Sequence, residues 1–393
     1  MNNKSKMLTA TILSMSLLTV MAAAAIAPAM GIIKEHFSNA SDILVQLIIS
    51  LPALSIIITN LFFMKISSFM RTRTIAIIGL LLYVVSGTTC FFLDNIYIIL
   101  IMRALLGVSV GLIMPLSTGL LSYFYPPEEQ ARLMGLSSAM NQMGGVVGTL
   151  FAGFLSSIEW NYSFLVYLFG LVALLMIMKW LPNEKLETSN KRGKAFEPRQ
   201  LLKFHPSIIG MLLLTMIFFV FPTNFAIISS RQLHLDTGTI TLLMVALDLL
   251  AFFVGLIFGK LMRLFRNVIK YFPPLCMIIG YIFYAEANNI TMLLVGSAFI
   301  GLGNGIGVPY LLTIASIKGG KNSATTVMPL ISAALYLGQF ISPIIMLSLS
   351  DVLFTTNDIV GPYKVAVVIS VIFLLQVFLT RKFQSLPPED NEK

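Results

Sequence analysis

IYIILIMRALLGVSVGLIMPLSTGLLS, residues 96–122, decides the fold. It carries one charged residue, Arg103, among apolar and small side chains, and it exceeds the roughly 20 residues a helix needs to cross a bilayer. The ten-residue alternation of a membrane barrel is not visible in it. It reads as a spanning helix. Outward from it the pattern repeats, giving twelve apolar blocks near 8–30, 43–64, 74–94, 96–122, 133–157, 160–181, 207–229, 238–262, 270–287, 290–316, 323–349 and 363–380. Charged residues make up 11% of the chain, less than half the roughly one quarter of a soluble domain, so little of it can face water. The class is an all-α membrane protein.

The placement of charge orients the blocks. Lys4 and Lys6 precede the first; Lys65, Arg71 and Arg73 fill the 2–3 turn and Arg132 the 4–5 turn. Lys185, Lys191, Arg192, Lys194, Arg199 and Lys203 lie between blocks 6 and 7, Lys260, Arg263, Arg266 and Lys270 between 8 and 9, Lys318 and Lys321 between 10 and 11, and Arg381 and Lys382 in the tail. The opposite turns hold Lys34, Arg231 and Lys364 among eight carboxylates, from Glu35 and Asp42 to Asp351 and Asp358. Basic residues stay on the cytoplasmic side, so both termini are expected there, in a cell membrane. The net charge of +9 therefore orients helices and does not mark a nucleic-acid binder. The uncharged run from Leu8 to Ile33 is too long for the core of a cleaved signal and reads as the first span. Cys90 and Cys276 lie inside apolar blocks, and His36, His205 and His234 fall in turns. That excludes a disulfide framework, a metal site and a catalytic cluster, and no cofactor is expected.

Residues 182–206, with Pro182, Pro198 and Pro206, form the one long polar linker. They divide the chain into a half over 1–181 and a half over 207–393. An offset of 194 (301 minus 107) superimposes Gly107, Gly111, Pro115 and Gly144 on Gly301, Gly305, Pro309 and Gly338. Two glycines and a proline at one spacing in spans 4 and 10 favour duplication, as in transporters built from parallel six-helix halves.

The segment Arg103-Ala-Leu-Leu-Gly107 resembles the Arg-x-x-x-Gly signature of the major facilitator superfamily, within it the drug:proton antiporters and related efflux permeases. Gly144-Gly145-x-x-Gly148-Thr149-x-x-Ala152-Gly153 is similar to their antiporter motif, with Thr149 in the proline position. The 2–3 loop departs from its pattern: Ser68 stands where the family has aspartate, and the glycines are missing, while Lys65, Arg71 and Arg73 remain. The resemblance implies twelve transmembrane helices in two pseudo-symmetric halves, no enzymatic activity, and alternating access for a small-molecule substrate.

Two charges at membrane depth stand out. Arg103 lies within span 4, where a charge is costly unless it faces protein or a water-filled cavity, or snorkels to the headgroups. Asp248 sits near the middle of span 8 in an otherwise apolar run. Burial disfavours the charged form of a carboxylate, so such an acid can exchange a proton; the alternative is a hydrogen bond between helices. Proton coupling is assigned to Asp248 and Arg103, with Glu286, at the end of span 9, as a secondary candidate. Gln46, Asn141, Gln142, Asn224, Asn304 and Gln339 are the polar candidates for a substrate cavity, with Asn60 beside them and Phe221, Phe225, Tyr310 and Tyr336 as aromatic wall. Gly107, Gly111, Gly144, Gly148, Gly301 and Gly305 read first as close-packing points and second as hinges. Gly301-x-Gly-x-Gly305 imitates a nucleotide fingerprint but lies inside a span with no preceding strand.

These readings converge on a monomeric, proton-coupled antiporter (sodium being the other possible ion) that exports amphipathic or cationic small molecules, a multidrug-resistance activity. The rival within the fold is a dedicated exporter or importer of one metabolite such as a sugar, amino acid or siderophore. A membrane receptor or enzyme is the rival of another class.

Overall fold

The computed structural model describes residues 3–125, 127–183, 198–319, 327–354 and 358–381. Most of the expected linker, 184–197, lies outside the described residues, and with it Lys185, Lys191, Arg192 and Lys194. Lys321 and Lys382 lie outside them as well. Helices dominate, and no strand occurs among the described residues.

Prolines and capping residues set the helix ends. The first span is α1 (Asn3–Ala24), a 3-10 turn (Ala27–Ala29) and α2 (Met30–His36). It breaks at Ala24 because Pro28 has no N–H for that carbonyl. The second is α3 (Asp42–Phe69), started by Ser41, whose hydroxyl accepts from the Leu44 amide at 3.4 Å. The third is α4 (Thr72–Thr89). The fourth is α5 (Ile96–Phe124), where the Asn95 side chain caps the amides of Tyr97 and Ile98. Then follow α6 (Pro127–Ser156) and a sixth span made of a 3-10 segment (Trp160–Leu168) and α7 (Phe169–Trp180).

The seventh span breaks as the first does. It comprises α8 (Pro198–Phe218) and α9 (Val220–Leu233), and Pro222 has no N–H for the Phe218 carbonyl. Because α8 begins at Pro198, Pro206 lies inside a helix. Next come α10 (Thr237–Phe265), a turn (Arg266–Tyr271), α11 (Phe272–Ala285), α12 (Ile290–Gly319), α13 (Met328–Leu353) and α14 (Gly361–Leu379). Arg266, with φ 42°, takes the left-handed conformation that turns the chain between α10 and α11.

Ten stretches pass as membrane spans on length and apolarity alone. One of them, Thr237–Ala285, holds both α10 and α11. The stretch left out is α6, whose apolarity is diluted by Asn141, Gln142 and its glycines. The helices thus make the twelve spans of a multi-pass membrane protein. Large apolar side chains such as Phe92, Val352 and Leu379 remain exposed, as lipid-facing residues do.

Packing divides the chain into two compact units, Met1–Asn190 with Pro222–Asp248, and Lys191–Phe221 with Leu249–Lys393. In the first, α5 lies against α3 and α6 against α1. A Cβ on Gly144 would run into the Leu17 carbonyl, and one on Gly107 into the Pro52 carbonyl. These helices approach closely enough that only glycine fits. In the second unit a Cβ on Gly338 would sit 2.6 Å from the Leu212 carbonyl of α8, and one on Gly305 would sit 2.8 Å from the Ala251 carbonyl of α10. Gly144 with Leu17 and Gly338 with Leu212 are the same contact made once in each unit, in a register that agrees with the sequence offset to within one residue.

Candidate proton and substrate site

Asp248 lies about 16 Å along α10 from its first residue, taking 1.5 Å per residue. It is half-buried. The chain brings α6 to it through a glycine: a Cβ on Gly153 would collide with the Thr241 side chain, so α6 and the first turns of α10 touch. One helical turn back along α6, Thr149 is buried, and its hydroxyl donates to Asp248 Oδ2 at 3.2 Å. That is the hydrogen bond Asp248 makes among the described residues, and it comes from the position where the resembling motif has proline.

Arg103 is fully buried, and its partners are neutral. Nε donates to the Ile48 carbonyl of α3 at 2.6 Å and an Nη to the Ala22 carbonyl at 2.8 Å; the other Nη donates to the Tyr167 hydroxyl. Tyr167 in turn donates to Ala22 O at 2.8 Å, and the guanidinium lies 5.4 Å from the Tyr167 ring centre. Arg103 thus joins spans 1, 2, 4 and 6, and its acceptor Ala22 lies two residues before the Ala24 carbonyl that Pro28 leaves open. It forms no ion pair or hydrogen bond with Asp248 among the described residues. The second unit has a counterpart: the Tyr281 hydroxyl donates to the Ile217 carbonyl at 2.6 Å, beside the Pro222 break.

The cavity candidates distribute over both units. In the first, Gln46 Nε2 donates to Asn224 Oδ1 at 2.7 Å, with both residues buried. Asn141 accepts from the Thr19 hydroxyl at 2.8 Å, Gln142 is half-buried, and Phe225 is fully buried as core. In the second, Phe221 stacks on Tyr284 with ring centres 6.1 Å apart, Tyr310 and Gln339 are buried, and Asn304 and Tyr336 are half-buried. Glu286 is exposed at the C-cap of α11. Lys65 and Arg71 are exposed, and Arg73 donates to the Met178 carbonyl at the end of α7. Ser68, in the family's aspartate position, donates to the Lys65 carbonyl of its own helix at 2.7 Å.

Outside the spans, Asp236 caps α10. The Thr239 backbone amide donates to it at 2.9 Å and the Thr239 hydroxyl at 2.7 Å. These bonds hold its carboxyl below the usual carboxylate range. The side chains around these groups not singled out in the sequence are Thr149, read there as a departure from the motif, Tyr167, which bonds Arg103 and the Ala22 carbonyl, and Tyr281, whose partner is a backbone carbonyl.

The model of one protein family, Major Facilitator Superfamily, matches residues 12–343. The chain is 25% identical over 383 residues to the quinolone resistance protein NorA of Staphylococcus aureus (strain MSSA476), covering 91% of this chain and 92% of that one. Among solved structures it resembles a bacterial homologue of the human lysosomal transporter Spinster, at TM-score 0.78 and 17% identity, covering 98% of this chain and 99% of the other. It also resembles a D-xylose–proton symporter, at TM-score 0.74 and 14% identity, covering 96% of this chain and 99% of the other.

Proposed function

Because this chain belongs to the Major Facilitator Superfamily, and is therefore a membrane transporter and not an enzyme, we propose that it is a proton-coupled exporter of amphipathic or cationic small molecules. The observation that carries the reading is Asp248. It is a carboxylate within a span, held through one oxygen by Thr149, while its other oxygen makes no hydrogen bond among the described residues. Such a group can hold a proton or face a cation, but not both at once. Protonated Asp248 favours one facing of the transporter and bound substrate the other, and each ligand shifts the equilibrium by its differential affinity. Arg103 acts in this reading as a positioning residue that keeps the first, second, fourth and sixth spans together around the Pro28 break. The name of the curated relative, quinolone resistance, supports export of drug-like molecules over uptake of a nutrient.

The Lys/Arg asymmetry supports cytoplasmic termini and a cytoplasmic 182–206 segment in the plasma membrane. An impermeant thiol reagent is expected not to label a cysteine at position 191 from outside intact cells. The function itself is tested in inside-out vesicles with an imposed pH gradient, offered a panel of lipophilic cations and a panel of sugars. Gradient-driven accumulation of the cations supports the proposal. Accumulation of a sugar alone would replace it with a dedicated metabolite carrier.

A further inference from the structure

Helix α3 carries two distinct faces. Pro52, Ser55 and Thr59 face α5 at Gly107 and Gly111. On the opposite side, Gln46, Ser50 and Asn60 fall within about 40° of the direction of Gln46, from 3.6 residues per turn. Gln46 is 2% exposed and Ser50 is fully buried. Each of the three has a buried polar atom without a hydrogen-bond partner among the described residues: Gln46 Oε1, Ser50 Oγ and Asn60 Oδ1. Unmade hydrogen bonds on buried groups are costly and uncommon; of the seven such atoms among the described residues three lie on this one stripe of α3, the others being on Asn161, Ser207, Ser229 and Tyr363.

Exchanging the amide atoms of Gln46 does not remove the feature. Turned alone, Gln46 would set its oxygen against Asn224 Oδ1, two acceptors face to face. Turned together with Asn224, it would accept from the Asn224 amide and leave its own N–H donors unmatched instead. In either orientation Gln46 keeps one unmatched group, one helical turn from the unmatched hydroxyl of Ser50, with Cβ atoms roughly 5–6 Å apart at that spacing.

We propose that Gln46 and Ser50 form a subsite for an uncharged hydrogen-bonding group of the transported molecule, an N–H, O–H or carbonyl, with Asn60 a second rung along the same stripe. The amide offers either a donor or an acceptor and the hydroxyl offers both, so the subsite accepts groups of either polarity. It bears no charge and so complements Asp248, which would face the cationic part of the same molecule. This rests on the exporter reading above.

The test compares two cations in proton-driven inside-out vesicles: ethidium, which carries aromatic amines, and tetraphenylphosphonium, which has no hydrogen-bonding group. Gln46→Leu and Ser50→Ala are expected to raise the KM for ethidium about three- to tenfold, the effect of losing one neutral hydrogen bond. The KM for tetraphenylphosphonium should stay within about twofold of wild type. Ser50→Ala removes one atom and serves where Gln46→Leu does not reach the membrane. An equal rise for both cations, no rise for ethidium, or a wild type that carries tetraphenylphosphonium but not ethidium would overturn the subsite. If only ethidium is carried, its KM in the two variants decides. A wild type that carries neither cation refutes the exporter reading instead, and the subsite falls with it.

Discussion

Arg103 and Tyr167 converge on a single acceptor, the carbonyl of Ala22, each donating to it at 2.8 Å. The acceptor lies two residues before Ala24, where the first helix ends ahead of Pro28, so a guanidinium and a phenol tie the chain beside the break. This arrangement makes Arg103 a structural clamp first. Arg103→Ala removes the donor to the Ile48 carbonyl and one of the two donors to Ala22, and should cost about 1–3 kcal/mol. Arg103→Lys keeps the charge but not the fork, and should recover only part of that. Tyr281→Phe, which removes one donor, should cost about 1 kcal/mol, and Tyr167→Phe, which also takes the acceptor from an Arg103 Nη, about 1–3 kcal/mol. Thermal unfolding of the purified protein in detergent measures all four.

For Asp248, the expected result is loss of gradient-driven uptake in Asp248→Asn, with substrate binding or downhill exchange partly kept. A role confined to holding helices together predicts the reverse, since an amide still accepts from Thr149. Thr149→Ser retains the hydroxyl and should keep most of the transport rate, whereas the isosteric Thr149→Val should lower it several-fold. Unimpaired uphill transport by Asp248→Asn at matched protein levels would end the assignment.

The glycines divide into two groups with opposite expectations. Gly144→Ala and Gly338→Ala drive a methyl into a backbone carbonyl and should each destabilise by about 1–3 kcal/mol or more. Gly255 and Gly259 in α10 have nothing within 4 Å of a Cβ, so alanine there should be neutral or should stabilise by about 0.4–1 kcal/mol through the unfolded chain. Melting temperatures of the four variants, compared side by side, check both halves of the prediction.

Asp236 supplies a pH dependence with a definite sign. Its carboxyl is held low by Thr239, so its contribution is present above the unfolded aspartate value of about 3.9 and is lost as pH falls through the lower folded value. At neutral pH Asp236→Ala should cost about 1 kcal/mol as a lost N-cap. Wild type and variant should draw together as pH falls through that lowered folded value. A gap in thermal midpoint that stays constant from pH 7 to pH 3 would refute the capping role.

Much of this architecture was legible in the sequence. Apolar length and charge placement gave the spans, with small shifts at their ends: the eleventh, expected over 323–349, is described as Met328–Leu353. Span 5 was visible to the eye through its glycines although its apolarity is diluted. The partners of Arg103 were not legible, because two of the three are backbone carbonyls, which every residue carries whatever its side chain. Nor was the Thr149–Asp248 contact, which depends on spans distant in sequence meeting through Gly153 and Thr241. Pro28 and Pro222 carry a signal of their own: they stand 194 apart (222 minus 28), in the same register as Gly144 and Gly338.

The boundary between the packing units has a consequence for how this protein can be taken apart. The segment Pro222–Asp248 follows the linker in sequence but packs with the residues that precede it. A polypeptide ending near residue 190 would therefore be a body missing one of its own walls, and a polypeptide starting near 191 would carry that wall with nothing to lean on. Pieces split in the linker are expected to be retained in the membrane better when made together than when made apart.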